Sequence, residues 1–346
     1  DKELKLGIAR IDFELTTRCN LNCAHCLRDR SLKADLELEL ISKILREVKP
    51  YGIDRVGITG GEPLLHSQFK EVIELCVRKG FWVSLVSNGI EIPKLINFFK
   101  SPEIKEKLQY IAVSLEGADD KTNDAVRGKG SFKKALKGVV ALKANNIPFA
   151  IKFSINALNF QKIEEMALFA GKLGAREMHI TQIYPSPESL AKGLMLEPEQ
   201  WVKIKPEIAR LAELVKIPVV ECVSGWSEYV LPLCTSINMA DYYVDARGWL
   251  GLCCLLPGVV GAGAVERDRI ADLRTTSFVE AHRKLLDLIR EMRLIWLERI
   301  EKGEVSELDH YMCLNCGFHL GKLNWLEDFK DSGWWKLLES AKKKNR

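Results

Sequence analysis

Six short runs rich in β-branched and aromatic residues alternate with stretches of helical periodicity, and this alternation limits what the chain can fold into more than any other feature. The runs fall at residues 11–15, 55–59, 82–87, 110–115, 149–155 and 177–183. Between them, the spacing of apolar residues predicts helices near 38–48, 68–79, 93–99, 131–145 and 160–173. A strand reached through a helical crossover lies parallel to the strand before it, so the succession predicts an α/β fold around a parallel sheet. Six such units are too few to close an eight-stranded barrel. With 346 residues and 47% hydrophobic content, the chain can bury one barrel-sized core and a smaller unit besides.

Cysteines supply the chemistry. Cys19, Cys23 and Cys26 lie in the run Cys19-Asn20-Leu21-Asn22-Cys23-Ala24-His25-Cys26, directly after the first predicted strand. Three thiolates on one tight loop can hold three irons of a four-iron cluster and leave the fourth iron open to bind and activate a small molecule. The plain alternative is a zinc knuckle, which normally closes with a second Cys or His pair; none lies near this loop. Ten cysteines, most of them in tight groupings, fit metal ligation in a reducing compartment better than disulfides.

After the second predicted strand comes Gly60-Gly61-Glu62-Pro63. Two glycines there let the backbone pass close to a ligand at the strand's C-terminal end. The C-x3-C-x2-C loop followed by G-G-E-P resembles the radical S-adenosylmethionine (SAM) superfamily. His25 stands before the third cysteine, where the family more often has an aromatic residue against adenine; an imidazole can also stack. The resemblance implies a partial (βα)6 TIM-type barrel, with cluster and SAM at the C-terminal ends of its strands.

The resemblance extends to other strand ends. Ser87-Asn88-Gly89 resembles the family's turn near the SAM ribose and methionine, and otherwise reads as an ordinary Asn-Gly turn. Ser114-Leu115-Glu116-Gly117 resembles the "SLDG" segment of maturase-like members, with Glu116 as a carboxylate toward ribose hydroxyls or substrate. Arg127-Gly128 and Gly130-Ser131-Phe132 resemble the entry to the fourth helix, with Arg127 as a partner for the SAM carboxylate. Surface pairing and helix capping are the alternatives for these residues. By position alone, Lys152, Asn156, Gln182 and Tyr184 join Glu116 as candidates for substrate contact, with a core or ion-paired role as the alternative.

Beyond about residue 225 the pattern changes to Cys234, Gly248, Cys253 and the pair Cys313-Leu314-Asn315-Cys316. The segments 242–245 and 249–252 flank Ala246-Arg247-Gly248 and read as a β-hairpin with Gly at the turn. This C-x13-G-x4-C, gap, C-x2-C pattern resembles the twitch module, the shortened relative of the SPASM module. The expected organisation is therefore a radical SAM partial barrel at 1–225, followed at 226–346 by a small α+β twitch module with a hairpin and a long helix to about residue 300. Cys234, Cys253, Cys313 and Cys316 would hold a second 4Fe-4S cluster; a four-thiolate zinc site is the alternative. Cys254 stays open between a substitute ligand, a substrate-facing thiol and a buried small hydrophobe. Cys76 reads as core and Cys222 as structural.

Taken together, the resemblance implies an enzyme with two 4Fe-4S clusters and SAM. Reductive cleavage of SAM gives a 5'-deoxyadenosyl radical, which takes hydrogen from a substrate C–H bond, and an electron passes to the auxiliary cluster. The outcome would be oxidation, cyclisation or crosslinking of a peptide or small molecule. A low-potential flavodoxin or ferredoxin would supply electrons. A non-catalytic iron-sulfur carrier or scaffold is a competing reading that keeps the clusters without the chemistry. The first strand near residue 11 leaves no winged-helix peptide-recognition domain ahead of it in this sequence.

Net charge is only +4 and is spread among alternating Lys and Glu, so no track for nucleic acid is expected. No window is apolar for long enough to span a bilayer and no signal segment opens the chain, which places the expected protein in the cytoplasm. Residues 323–338, with Trp325, Phe329, Trp334 and Trp335 ahead of a lysine run, raise a possible weak membrane contact and a lipid-modifying alternative. Packing of those aromatics on the preceding module is the plain alternative.

Overall fold

In the computed structural model, residues 9–28, 31–221, 226–230, 234–256 and 266–344 are described. Cys222 lies outside them. One ten-stranded sheet organises these residues. Its strands are β1 (Arg10–Glu14), β2 (Arg55–Thr59), β3 (Trp82–Ser87), β4 (Leu108–Ser114), β5 (Phe149–Ile155), β6 (Met178–Gln182), β7 (Val219–Glu221), β8 (Asp241–Val244), β9 (Trp249–Gly251) and β10 (Arg269–Asp272). The spatial order is β10-β9-β8-β1-β2-β3-β4-β5-β6-β7. Strands β1 to β7 run parallel in chain order, as helical crossovers require. The α/β partial barrel is thus present, with the hairpin and the long helix after it.

Side-chain alternation sets the two faces of this sheet. In register, Ile11, Val56 and Val83 form one apolar row, and Phe13, Ile58, Leu85, Ile111 and Phe149 form the next. All are buried. The intervening positions are polar or small: Asp12 pairs with Gly57, Gly57 with Ser84, and Ser114 with Lys152. A Cβ on Gly57 would fall 1.7 Å from Asp12 Oδ1, so the inner face has room for the Asp12 carboxylate only because residue 57 lacks a side chain. Period-2 patterning thereby puts the apolar row under the covering helices and the polar row inside the barrel.

Two features went unread in the sequence. The strands β7 and β10, of three and four residues, are too short to stand out by composition. The hairpin of β8 and β9 is present, turning at Gly248 with φ +86°, but β8 also pairs parallel with β1. The sheet therefore runs unbroken past residue 225.

The C-terminal part packs on this edge. Ser277 caps the long helix Phe278–Glu301, and Lys43 Nζ donates to the carbonyl of Leu273 at 2.6 Å, tying that helix's entry to the first barrel helix, Leu38–Val48. A buried ion pair, Arg299 with Asp309 at 2.6 Å, fixes the turn before the helix Met312–His319, which carries Cys313 and Cys316.

For residues 323–338 the structure supports packing of the aromatics on the protein over contact with a membrane. Trp334 is 1% exposed, donates its indole N–H to the carbonyl of Leu196 at 3.0 Å and meets Tyr311 edge-on at 5.2 Å. Trp325 is also buried. These rings have an apolar partner within the protein, so the segment does not offer them to lipid, and no described helix is long and apolar enough to cross a membrane. Trp334→Ala should cost about 3–5 kcal/mol of stability, whereas loss of the only partly buried Trp335 should cost about 1 kcal/mol. Denaturant titration checks the contrast; equal costs would place the two rings in equivalent surroundings.

Candidate active site

The loop after β1 is pinned at three points. Asn88 Nδ2 donates to Asn20 Oδ1 at 2.7 Å, and the N–H of Ala24 donates to the carbonyl of Val126 at 2.8 Å. At its far end Arg28 pairs with Glu14 and donates to the Tyr243 hydroxyl at 2.8 Å, while that hydroxyl donates to Glu14 at 2.7 Å. Glu14, Arg28 and Tyr243 were not singled out by sequence reasoning. The sequence carries little local signal for them: Glu14 ends a strand that already carries Arg10 and Asp12, and its burial shows only in the fold.

Gly60 and Gly61 have a different immediate partner from the one expected. The N–H of Gly61 donates to the carbonyl of Thr16, and that of Glu62 to the carbonyl of Arg18, both at 2.7 Å. A Cβ on Gly61 would stand 2.3 Å from the Arg18 carbonyl oxygen. The glycine pair is therefore required first by the crossing of two backbone segments, which seats the cysteine loop on the end of β2.

Above the C-terminal ends of the strands lies a cavity of about 580 Å³. Cys19, Cys23, Cys26 and His25 line it, together with Gly60, Gly61, Ser87, Asn88 and Arg127. Lys152, Gln182, Tyr184 and Cys254 line it as well. Asn156 does not: it is 1% exposed and spends its side chain on a local turn, donating to the carbonyl of Ser154 and accepting from the N–H of Leu158.

Glu62, Pro63 and Glu116 sit behind the wall, all buried. Glu62 accepts from Ser87 Oγ at 2.8 Å and from the N–H of Asn88 at 2.7 Å, so it shapes the turn that presents Ser87 and Asn88. Glu116 accepts from Arg127 Nε at 3.1 Å and from the N–H of Ser154 at 2.7 Å. It holds Arg127 in place and stands 3.9 Å from His25 Nε2. The Gly130-Ser131-Phe132 entry is a cap: Asp124 accepts from the N–H groups of Gly130 and Phe132 and from Ser131 Oγ.

A second set of cysteines gathers beside this cavity. Cys234, Cys253, Cys313 and Cys316 line one small pocket with Ser236, Met312 and Tyr184. Cys254, next in sequence to Cys253, faces the larger cavity instead. Cys76 is fully buried in the core. Among the described residues, no three His, Cys, Asp or Glu side chains converge tightly enough for a single metal ion. Each set of cysteines lines one space.

The electrostatics suit such an occupant. Burial pushes the Cys23 thiol up to about 11 and raises Cys19, Cys253, Cys313 and Cys316 as well. Thiolates in these places need a positive partner, which iron supplies. Burial also lowers the His25 imidazole, favouring its neutral form against the pull of Glu116.

Comparisons with known proteins agree with this geometry. The family described as the radical SAM superfamily matches residues 13–186, just over half of the chain. Mycofactocin maturase MftC of Mycolicibacterium smegmatis is 32% identical over 184 residues, 51% of this chain and 45% of that protein. The AdoMet-dependent heme synthase of Methanosarcina barkeri is 32% identical over 186 residues, 51% of each. The chain thus spans about half the length of the curated relatives it matches. Native anSMEcpe with bound AdoMet and Cp18Cys peptide shares the fold, with a TM-score of 0.63 at 14% identity over 97% of this chain and 99% of that one.

Burial pushes the Glu62 carboxyl up to about 7, while its donors from Asn88, Ser87 and Leu64 pull the other way. A carboxyl raised on folding contributes stability that is complete below its unfolded value and lost as pH rises through the folded one. Glu62→Gln should therefore fall further below the wild type at about pH 5 than at about pH 8. Denaturant titrations of both proteins check this; equal deficits at the two pH values would mean Glu62 is ionised throughout.

Proposed function

The chain belongs to the radical SAM superfamily, and on that premise we propose that it oxidises, cyclises or crosslinks a peptide through removal of hydrogen from a C–H bond. The family brings a 4Fe-4S cluster and SAM. In this reading Cys19, Cys23 and Cys26 hold the first cluster, and Cys234, Cys253, Cys313 and Cys316 hold a second. When bound, the first cluster and SAM supply a 5'-deoxyadenosyl radical, and the second cluster supplies an electron acceptor.

The observation that carries this reading is the shared cavity. Three loop cysteines, the Gly60-Gly61 turn, Ser87, Asn88 and Arg127 line it together with Lys152, Gln182, Tyr184 and Cys254. The first group suits cofactor and the second suits substrate. Arg127, held by Glu116, presents a guanidinium to the carboxylate of SAM. Asn88 keeps Cys19 in place through Asn20. His25, neutral and beside the cysteines, offers a flat ring to adenine.

Peptide substrates are favoured by the maturase among the relatives and by the peptide bound to the fold neighbour. The match to a heme synthase favours a second reading, with a small-molecule substrate in the same cavity. A flavodoxin or ferredoxin is the proposed electron donor. We assign the first cluster to residues 1–225 and the second to 226–346.

Anaerobic reconstitution tests the proposal. The wild type should hold about eight irons and the Cys19, Cys23, Cys26→Ala triple variant about four. Only the wild type should form 5'-deoxyadenosine from SAM and dithionite. About four irons with zinc in the second site would remove the electron acceptor. Full loading without SAM cleavage would favour a carrier or scaffold. A peptide product lighter by two hydrogens distinguishes the first reading from the small-molecule one.

A further inference from the structure

Tyr184 and Leu255 line both the large cavity and the pocket of Cys234, Cys253, Cys313 and Cys316, and Tyr184 is the one of the two that brings a polar group. It is 3% exposed, yet its hydroxyl has no hydrogen-bond partner among the described residues. Leaving a buried hydroxyl unpaired costs roughly 1–3 kcal/mol, so such a group points to a partner that binds there. The protein has also made room for it. A Cβ on Gly317, the residue after Cys316, would stand 2.2 Å from the Tyr184 hydroxyl oxygen. Glycine at 317 thus lets the hydroxyl lie against the turn that carries Cys313 and Cys316.

The surroundings identify the missing partner as a sulfur-rich acceptor. Apart from cysteines, the pocket is lined by Ser236, Ile237, Leu252, Leu255, Leu256 and Met312. The phenol thus shares its pocket with the thiols of Cys234, Cys253, Cys313 and Cys316, and its hydroxyl is a donor in search of an acceptor there. Lys322 is not a competing donor, because it is committed to Asp268 at 2.7 Å and to the carbonyl of Leu256 at 2.7 Å.

We propose that Tyr184 donates a hydrogen bond from its hydroxyl to a sulfur of the cluster held by Cys234, Cys253, Cys313 and Cys316, while its ring forms the partition between that cluster and the substrate cavity. The inference rests on the second cluster of the proposed function. A hydrogen bond to cluster sulfur stabilises the more negative, reduced form and raises the reduction potential. Tyr184 is in this sense a positioning and tuning residue: it makes the second cluster a readier acceptor and stands at the wall the electron must cross.

The test uses the full-length Cys19, Cys23, Cys26→Ala protein, which retains only the second site, with and without Tyr184→Phe. Iron content is counted and the cluster is titrated potentiometrically, followed by EPR. The expected result is equal iron in the two proteins and a midpoint shifted to lower potential in Tyr184→Phe. Equal iron with an unchanged midpoint overturns the hydrogen bond while leaving the cluster in place. No iron in either protein overturns the second cluster itself, and this inference with it. Gly317→Ala gives an independent route should Tyr184→Phe lose iron. Its new methyl group displaces the hydroxyl, so the midpoint should fall in the same direction, and the double variant should show no further fall. An unshifted midpoint in iron-loaded Gly317→Ala also overturns the proposal.

Discussion

Two backbone hydrogen bonds seat the chemistry of this protein on its sheet. The N–H groups of Gly61 and Glu62 reach the carbonyls of Thr16 and Arg18, at a distance that no side chain at 61 would permit. Without that crossing the cysteine loop would leave β1 with nothing beneath it. With it, the end of β2 becomes the floor of the loop, and the next residue, Glu62, reaches across to fix the end of β3 through Ser87 and Asn88. Asn88 then returns to the loop through Asn20. Three segments far apart in sequence are closed into one cycle, each link a short hydrogen bond in a buried or half-buried setting where it is worth most.

β1 extends this cycle into the C-terminal part of the chain. It has β2 on one side and β8 on the other, so one five-residue strand carries both the cysteine loop and the start of the auxiliary-site hairpin. Glu14 lies at its end and binds Arg28 from the loop and Tyr243 from β8. A buried carboxylate with one cation and one hydroxyl is adequately paired, and removing any of the three would leave a buried polar group unmatched. The consequence is mechanical: the second cysteine site cannot drift relative to the first without breaking a parallel strand pairing.

Much of this was legible in the sequence where the signal was local. β2, β3 and β5 begin and end where composition placed them, because buried parallel strands demand β-branched and aromatic runs. The cysteine spacings and the glycine pair stood out because few other residues serve there. What stayed hidden depends on long-range partners. The pairing of β8 with β1 joins residues more than two hundred positions apart and leaves no local trace. Glu62 and Glu116 read as cofactor contacts from their motifs, whereas in the fold their oxygens are occupied by Ser87, Asn88, Arg127 and Ser154. A motif marks that a carboxylate is needed, not which side of the wall it faces. The aromatic C-terminal segment left two readings open for a similar reason: Trp beside Lys describes an interface equally well whether the apolar side is lipid or the protein's own core, and burial of Trp325 and Trp334 decides for the core.

Cys253 and Cys254 show how thin that wall is. Just beyond β9 the chain bends, and the first thiol enters the cysteine pocket while the second enters the large cavity. One residue of backbone therefore separates the two spaces at this point, and Tyr184 fills the same partition from the far edge of the barrel. Such an arrangement suits a reaction in which a substrate loses an electron after losing hydrogen. Electron transfer tolerates a protein wall, whereas a radical must not meet water or free cluster sulfur. A partition one side chain thick meets both demands. The pairing of β8 with β1 and the glycine at 317 are the structural conditions that keep it in place.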